Sequence, residues 1–158
     1  MDSNRIYGID LGTTYSCIAY VDEHGKPVVV ANSEGQSTTP SVVFFESENN
    51  IVVGQAAKDV AEMYPDRIVS TVKRVMGDPD WLYEHEGDTY HPQDISSFIL
   101  RKLVEDAQVV TGDEITDVVI TCPAYFGITQ KEATKQAGEI AGLNVRYVIP
   151  EPTAAAIA

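Results

Sequence analysis

Short runs of apolar residues open the chain and predict a three-stranded meander. The runs RIYGIDL and YSCIAYV lie on either side of Gly12, and PVVVA follows the turn sequence DEHGK. Runs rich in β-branched and aromatic residues that alternate with turn residues are typical of antiparallel strands. Two more short strands are predicted from the runs SVVFF and NIVVG, which the polar stretch ESENN separates.

Three later segments have the apolar spacing of helices. The segment GQAAKDVAEMY places alanine, valine and tyrosine at helical intervals. A second helix is predicted from Pro92, a residue type favoured in the first turn, to the stop signal Gly112. A third is predicted from the capping-box match of Thr129 and Glu132 as far as Gly142.

Two apolar runs, DVVIT and VRYVI, alternate with these helices and predict two strands, of which the first is expected to be buried. Strands and helices in this order predict a mixed sheet flanked by helices. The sequence closes on PEPTAAAIA, where Pro152 and the alanines favour a helix of only one or two turns. Such a short helix is marginal by itself, so we expect a truncated sequence, the N-terminal part of a longer protein.

The acidic composition narrows the range of partners. The chain of 158 residues contains 44% hydrophobic residues, typical of a folded globular domain, and carries a formal net charge of -13. We expect neither nucleic acid nor membrane as a partner, because nucleic acids and anionic membranes attract basic patches. A phosphate ligand would need local cations or a metal ion. Two cysteines in apolar runs, and an N-terminus without a signal-peptide pattern, favour a reducing, cytoplasmic location.

The sequence Asp10-Leu-Gly-Thr-Thr14, between the first two predicted strands, allows two interpretations. One is a plain tight turn with Gly12 at a positive φ. The other is a phosphate-binding loop, in which the glycine lets phosphate approach the backbone and the hydroxyls of Thr13 and Thr14 add donors. Asp10 would then hold Mg²⁺, which prefers oxygen ligands. The motif alone leaves both open, and neither the P-loop pattern nor the G-x-G-x-x-G fingerprint occurs.

Four other residues have ordinary structural interpretations when each is taken alone. Lys73, in STVKR, is expected to be a solvated helix cation, and Lys131 an exposed helical lysine. Glu151 is expected to be an acid near a helix N-terminus, where the helix dipole favours it. Pro123 most simply ends a strand.

Six motifs in one order along the chain change this interpretation: GIDLGTTYSCIA, TTPSVV, STVKR, VVITCPAYF, KEATKQAGEIAGLNV and EPTAAAIA. Together they closely resemble the ATPase domain of the seventy-kilodalton heat-shock chaperones, the DnaK family, over essentially the whole chain. The resemblance implies an α/β fold, an actin-like ATPase lobe with a ribonuclease-H-like mixed sheet of five strands flanked by helices. Residues 1–39 and 116–158 would form this first subdomain, and residues 40–115 an inserted α+β upper subdomain.

The resemblance also implies roles for single residues. Asp10 would hold Mg²⁺ through water, Lys73 would reach the γ-phosphate and the attacking water, and Glu151 would help to arrange the catalytic centre. Pro123 and Lys131 match a proline–arginine relay that links nucleotide state to the peptide-binding domain. The first phosphate loop, which binds ATP or ADP, would consist of Gly12, Thr13, Thr14 and Tyr15.

Three departures from the family pattern lie near the implied relay. Lys131 stands where the family usually has arginine, and a lysine cannot reproduce a planar bidentate contact. Pro150 replaces a common asparagine and removes a backbone donor. Gly127 and Ile128 replace a polar Asn-Asp pair. We therefore expect interdomain coupling to differ in this protein.

The implied function is that of an ATP-dependent chaperone of the heat-shock and stress response, which hydrolyses ATP to drive protein folding. Its implied partners are unfolded polypeptide clients, a J-domain protein and a nucleotide exchange factor, all through the full-length protein. This chain alone is expected to be inactive, because half of the cleft would be missing. Two alternatives stay open: a sugar kinase of the same fold and a non-catalytic, actin-like interaction protein. The kinase would need a sugar-binding acid, for which the sequence offers no candidate, and STVKR with EPTAAAIA argues against the actin-like alternative.

Overall fold

A computed structural model describes residues 5–47 and 49–151 of the protein. Eleven strands and three α-helices occur in this part of the chain, together with 3-10 helices at Pro65–Arg67 and Val72–Val75. The strands are β1 (Tyr7–Asp10), β2 (Tyr15–Val21), β3 (Pro27–Val29), β4 (Thr39–Pro40), β5 (Val42–Ser47), β6 (Asn50–Val53), β7 (Ile68–Ser70), β8 (Tyr83–His85), β9 (Asp88–Tyr90), β10 (Asp117–Cys122) and β11 (Asn144–Pro150). The helices are α1 (Gln55–Asp59), α2 (Pro92–Thr111) and α3 (Ile128–Ile140).

The central sheet is mixed, which confirms the predicted fold class. Its strands follow the order β11-β10-β1-β2-β3, and the short strand β4 pairs with β2 as an additional member. The first three strands form the predicted antiparallel meander, whereas β10 runs parallel to both β1 and β11. The carboxyl ends of β1, β10 and β11 therefore meet at one edge of the sheet.

A second, antiparallel sheet has the order β6-β5-β7, and β8 and β9 form a hairpin. Strands β5 and β6 confirm the prediction from SVVFF and NIVVG. Phe45 of β5 is fully buried, and its ring lies 4.7 Å from that of Tyr83, 4.9 Å from that of Tyr90 and 6.1 Å from that of Phe98. These aromatic contacts attach the hairpin and α2 to the second sheet.

The helix predicted over GQAAKDVAEMY is wrong in length. Helix α1 ends at Asp59, and residues 60–63 form turns. No side-chain hydrogen bond caps the N-terminus of α1, and the β-branched Val60 closes it at a φ of -104°. A single helical turn without a cap has little to favour its extension, despite the apolar spacing that follows.

Helix α2 confirms the predicted bounds, since it begins at Pro92 and Gly112 follows its last residue. Helix α3 confirms the stop at Gly142 but not the predicted start, because it begins at Ile128. Gly127 is extended, and its backbone N–H donates to Gln130 Oε1 at 3.0 Å. The capping interaction is therefore made by Gln130, and the predicted pair of Thr129 and Glu132 is wrong.

Both long helices pack on one face of the central sheet and against each other. The side chain of Gln93 donates to Gln136 at 3.0 Å, and Arg101 donates to the carbonyl of Ile140 at 2.9 Å. Alternation along the strands of the sheet directs one set of side chains into this core: Tyr7, Ile9, Val118, Ile120 and Cys122.

The other face of the sheet is open in the part of the chain that the structure describes. Gly8 and Asp10 of β1 are exposed, and Thr121 lies beside Asp10 in the register of β10 on β1. Polar side chains at the ends of the parallel strands therefore lie on an accessible surface. Within residues 5–47 and 49–151, no helix has the length and apolarity that a membrane crossing requires. The helix predicted from Pro152 onwards lies outside the described residues.

Candidate functional site

Three polar side chains converge where the parallel strands end. Asp10 is the last residue of β1, Thr121 is the next-to-last of β10, and Glu151 directly follows β11. The hydroxyl of Thr121 lies 3.1 Å from Asp10 Oδ1, and the backbone N–H of Glu151 donates to the carbonyl of Cys122 at 2.6 Å. The carboxyl ends of parallel strands are where α/β proteins commonly bind ligands.

Lys73 reaches this cluster from the segment that follows β7 of the second sheet. It lies in the 3-10 helix Val72–Val75, after Thr71 at a φ of 55°, a left-handed conformation that a β-branched residue rarely adopts. Its side chain is only 7% exposed, and its Nζ lies 3.3 Å from Glu151 Oε1. The interpretation of Lys73 as a solvated helix cation is therefore wrong. A buried ammonium group needs such a partner, because desolvation alone disfavours its charge.

The acids at the site influence one another. A hydrogen bond with Asp10 raises the pKa of Glu151 above its ordinary value, and burial and the charge of Asp10 act in the same direction. Lys73 opposes this change through its positive charge. The cluster therefore holds more negative charge than the single lysine balances, and it would attract an additional cation.

The first bend, residues 11–14, connects β1 to β2 beside these acids. Gly12 does not have the positive φ expected of a plain turn. The reason for a glycine is steric, since a Cβ there would lie 2.0 Å from the carbonyl oxygen of Tyr15. Thr13 is half-buried, and Thr14 and Tyr15 are exposed at the start of β2. The structure thus brings Gly12, Thr13, Thr14 and Tyr15 to the same edge as Asp10.

Several residues near the bend were not predicted from the sequence. Lys58 of α1 donates a hydrogen bond to the hydroxyl of Tyr15 at 2.8 Å, so a second cation stands near the first bend. Two buried serines, Ser16 and Ser41, bond to the backbone of Gly12. The motif TTPSVV contains Ser41, but a serine after a proline has no periodic signal that reveals a distant partner.

Pro123 and Lys131 lie on the helix side of the strand ends. Pro123 directly follows β10, and its carbonyl accepts a hydrogen bond from Phe126 at 3.0 Å. Lys131 is in the first turn of α3, half-buried. Burial raises the pKa of the Cys122 thiol, and the charges of Lys131 and Lys73 oppose this rise. Cys122 thus lies within electrostatic reach of both lysines, but neither Pro123 nor Lys131 bonds to the acid cluster among the described residues.

The donor set at the strand ends fits Mg²⁺. Asp10 and Glu151 supply carboxylate oxygens, and Thr121 supplies a hydroxyl. Within residues 5–47 and 49–151, no group of three or more His, Cys, Asp or Glu side chains has an arrangement that could hold a metal ion. Mg²⁺ characteristically keeps several waters and is bound by one or two carboxylates together with substrate phosphates. Because the site offers few protein ligands and an accessible surface, it suits a metal that arrives with a phosphate ligand.

The mixed sheet flanked by helices is consistent with one class of protein, the ATPases with the actin-like fold. Comparison with known families agrees with this class: the family described as Hsp70 protein matches residues 6–82 and 78–158. The chain belongs to the Hsp70 family. Intact proteins of this family are chaperones with ATPase activity, and their ATPase domains bind nucleotide and Mg²⁺. They also bind unfolded clients and co-chaperones.

Proposed function

We propose that this chain is the first lobe of the ATPase domain of a DnaK-type chaperone, which hydrolyses ATP to drive protein folding. The observation that carries the proposal is the ion pair between Lys73 and Glu151, with Nζ and Oε1 3.3 Å apart beside Asp10. These residues are far apart in sequence: Lys73 follows β7 of the second sheet, and Glu151 follows β11 of the central sheet. A buried lysine and two acids at an accessible strand edge are the groups that phosphoryl transfer requires.

Each residue has a proposed role that its position supports. Asp10 would hold Mg²⁺ through water, and the metal would neutralise charge on the phosphates. Lys73 would contact the γ-phosphate and orient the attacking water, and Glu151 would arrange that centre. The residues from Gly12 to Tyr15 would hold the phosphates of ATP or ADP, with the backbone N–H groups of Thr13 and Thr14 and the threonine hydroxyls as donors.

The negative net charge of the protein makes a local cation such as Lys73 necessary for nucleotide binding. A net charge of -13 repels a nucleotide, but screening limits distant charges to a range of about 8 Å at physiological salt. Lys73 and Mg²⁺ act within that range, where burial strengthens the interaction. Lys58 adds a second local cation beside Tyr15.

We also propose a relay from this site towards a peptide-binding domain through Pro123 and Lys131. Pro123 follows the strand that carries Thr121, and the charge of Lys131 acts on Cys122, as the charge of Lys73 does. Clients, a J-domain protein and a nucleotide exchange factor would act through the full-length protein. Because a lysine replaces the usual arginine, we expect weaker coupling between nucleotide state and client binding.

Cys17 and Cys122 are free thiols, which supports a reducing compartment, and we propose a cytoplasmic chaperone of the stress response. If the chain is only one lobe, it would bind ATP weakly and would not hydrolyse it. The second lobe would supply the other side of the cleft.

The substitution Lys73→Ala in the full-length protein tests the proposed function. We expect ATP turnover to fall by at least about 10²-fold, because transition-state charge loses its nearest cation, while nucleotide binding stays measurable. Single-turnover hydrolysis and titration with ATP measure the two quantities separately. Lys73→Met keeps the apolar stem of the side chain and serves as a second variant if Lys73→Ala does not fold.

Arg74→Ala is the matched control, since Arg74 is the neighbouring cation in the same 3-10 helix and is exposed. It should retain turnover close to that of the wild type. Normal turnover in a folded Lys73→Ala protein would contradict the proposed role of Lys73.

A further inference from the structure

Two buried serine hydroxyls form hydrogen bonds to the backbone of the first bend. The backbone N–H of Gly12 donates to Ser16 Oγ at 3.2 Å, and Ser41 Oγ donates to the carbonyl of Gly12 at 2.8 Å. The two hydroxyl oxygens are 2.8 Å apart. Because the only hydroxyl proton of Ser41 goes to Gly12, Ser16 donates to Ser41. The two serines therefore form one continuous chain of hydrogen bonds that begins and ends on the peptide groups of a single glycine.

We propose that Ser16 and Ser41 are positioning residues that set the backbone conformation of residues 11–14 for binding the phosphates of a nucleotide. The inference rests on the proposed function and adds residues to its site. Neither serine would touch the ligand, since their exposed fractions are 1% and 2%. They would act through the backbone of Gly12, which cannot carry a larger side chain because Tyr15 approaches it so closely.

The serine bonds determine which N–H groups of the bend stay available. The N–H of Gly12 is occupied by Ser16, and the carbonyl of Thr14 accepts a hydrogen bond from the backbone N–H of Ser41 at 2.9 Å. Among the described residues, no protein acceptor takes the N–H groups of Thr13 or Thr14. These two adjacent N–H groups are therefore available to an anion, as successive backbone N–H groups are in anion-binding turns.

The hydrogen-bonded pair of Ser16 and Ser41 also connects the two sheets. Ser16 is in β2 of the central sheet, whereas Ser41 lies between β4, which pairs with β2, and β5 of the second sheet. A shift of the second sheet relative to the first would therefore move Ser41 and change the conformation of the bend. Strand β7 of the second sheet leads into the 3-10 helix that carries Lys73. The second sheet therefore positions both the bend and the lysine.

The test compares ATP with adenosine, which has no phosphate, as ligands of the full-length protein. We expect Ser41→Ala and Ser16→Ala to weaken ATP binding about tenfold, the effect of losing one or two hydrogen bonds that position donors. Adenosine affinity should stay within about twofold of the wild type. Loss of structure in general would weaken both ligands, so the difference between them is specific to the bend. Titration calorimetry or ligand competition measures both affinities.

Ser97→Ala is the matched control, because Ser97 is equally buried and its hydroxyl also bonds to a backbone carbonyl, that of Asp94, away from the bend. It should leave both affinities unchanged. If the wild type binds ATP and both serine variants bind it equally well, this inference is overturned and the proposed function stands. A parallel loss of ATP and adenosine binding also overturns it. If the wild type binds no ATP, the proposed function fails as well. Ser16→Ala retains the bond from Ser41 to Gly12 and decides the question if Ser41→Ala does not fold.

Discussion

At the scale of single residues, the site combines groups with unequal access to solvent. The side chain of Lys73 is 7% exposed and that of Glu151 is 37% exposed, so the lysine is held more firmly than its partner. Periodicity could not predict the burial of Lys73, because a 3-10 helix of four residues is too short to show a pattern. The position of this lysine beside Glu151 could be predicted only from the resemblance to a known family.

The raised pKa of Glu151 has a consequence for stability. A folded chain that binds this proton more tightly than the unfolded chain loses stability as pH rises from the ordinary glutamate value through the raised pKa. Glu151→Gln removes the ionised carboxylate but keeps an oxygen that can accept a hydrogen bond from Lys73. We therefore expect the variant to be more stable than the wild type at pH 7, by about 0.5 kcal/mol after allowance for solvent screening. Below the ordinary pKa the two proteins should be equally stable. Denaturation by urea at both pH values, with a chelator present, measures the difference.

Glu139→Gln is the control for this comparison, because Glu139 is an exposed glutamate of α3 away from the strand ends. Its stability should follow that of the wild type at both pH values. A Glu151→Gln protein that is less stable than the wild type at pH 7 would show that attraction to Lys73 exceeds repulsion by Asp10.

At the scale of elements, the sequence predicted the long helix α2 and the strands of four or more residues well, and the shorter elements poorly. Helix α2 has many periodic positions and clear signals at both ends, whereas α1 is a single turn. The boundary of the inserted subdomain at residue 115 stays a prediction. Helix α2 packs both on α3, through Gln93 and Arg101, and on the second sheet, through Phe98.

Gly138 shows where packing outweighs helix propensity. In an exposed helix, Gly→Ala would stabilise by about 1 kcal/mol. A Cβ at Gly138 would lie 2.3 Å from Val145 Cγ2 and 3.3 Å from Ile120 Cδ1, both on strands under α3. Valine is stiff at χ1 and cannot turn away easily, so overpacking should prevail. We expect Gly138→Ala to lower the free energy of unfolding by about 1 to 3 kcal/mol, measured by urea denaturation.

Gly8→Ala is the matched control for Gly138→Ala. Gly8 is on the open face of β1, where the nearest atom to an added Cβ is the carbonyl oxygen of Ala19 at 4.0 Å. This variant should be as stable as the wild type or slightly more stable. A Gly138→Ala protein of unchanged stability would mean that α3 can move away from β11 without loss of packing.

At the scale of the whole molecule, the arrangement of the strands required more than local patterns. Alternation predicts that a strand is half-buried but does not state its neighbour, so the parallel pairing of β1 with β10 could not be read from either segment. Alternation also predicts two faces, and in the described residues helices cover only one. The open face carries apolar side chains from several strands: Val21, Val29, Tyr147 and Ile149.

This open face should make the 158-residue chain associate with itself, because contiguous apolar surface is rare on monomeric proteins. Tyr147, 67% exposed on the edge strand β11, is the largest of these side chains. We expect the sedimentation coefficient of the wild type to rise with concentration between about 5 and 200 μM, a range typical of weak interfaces. Tyr147→Lys should weaken this association by placing a charge on an apolar surface and an edge strand.

Met63→Lys is the control, since Met63 is 68% exposed in the turn region after α1 and away from the open face. Equal association of the two variants would show that the contact lies outside the open face. A wild type that stays monomeric throughout the concentration range would show that repulsion between negatively charged chains outweighs the attraction of the exposed apolar surface.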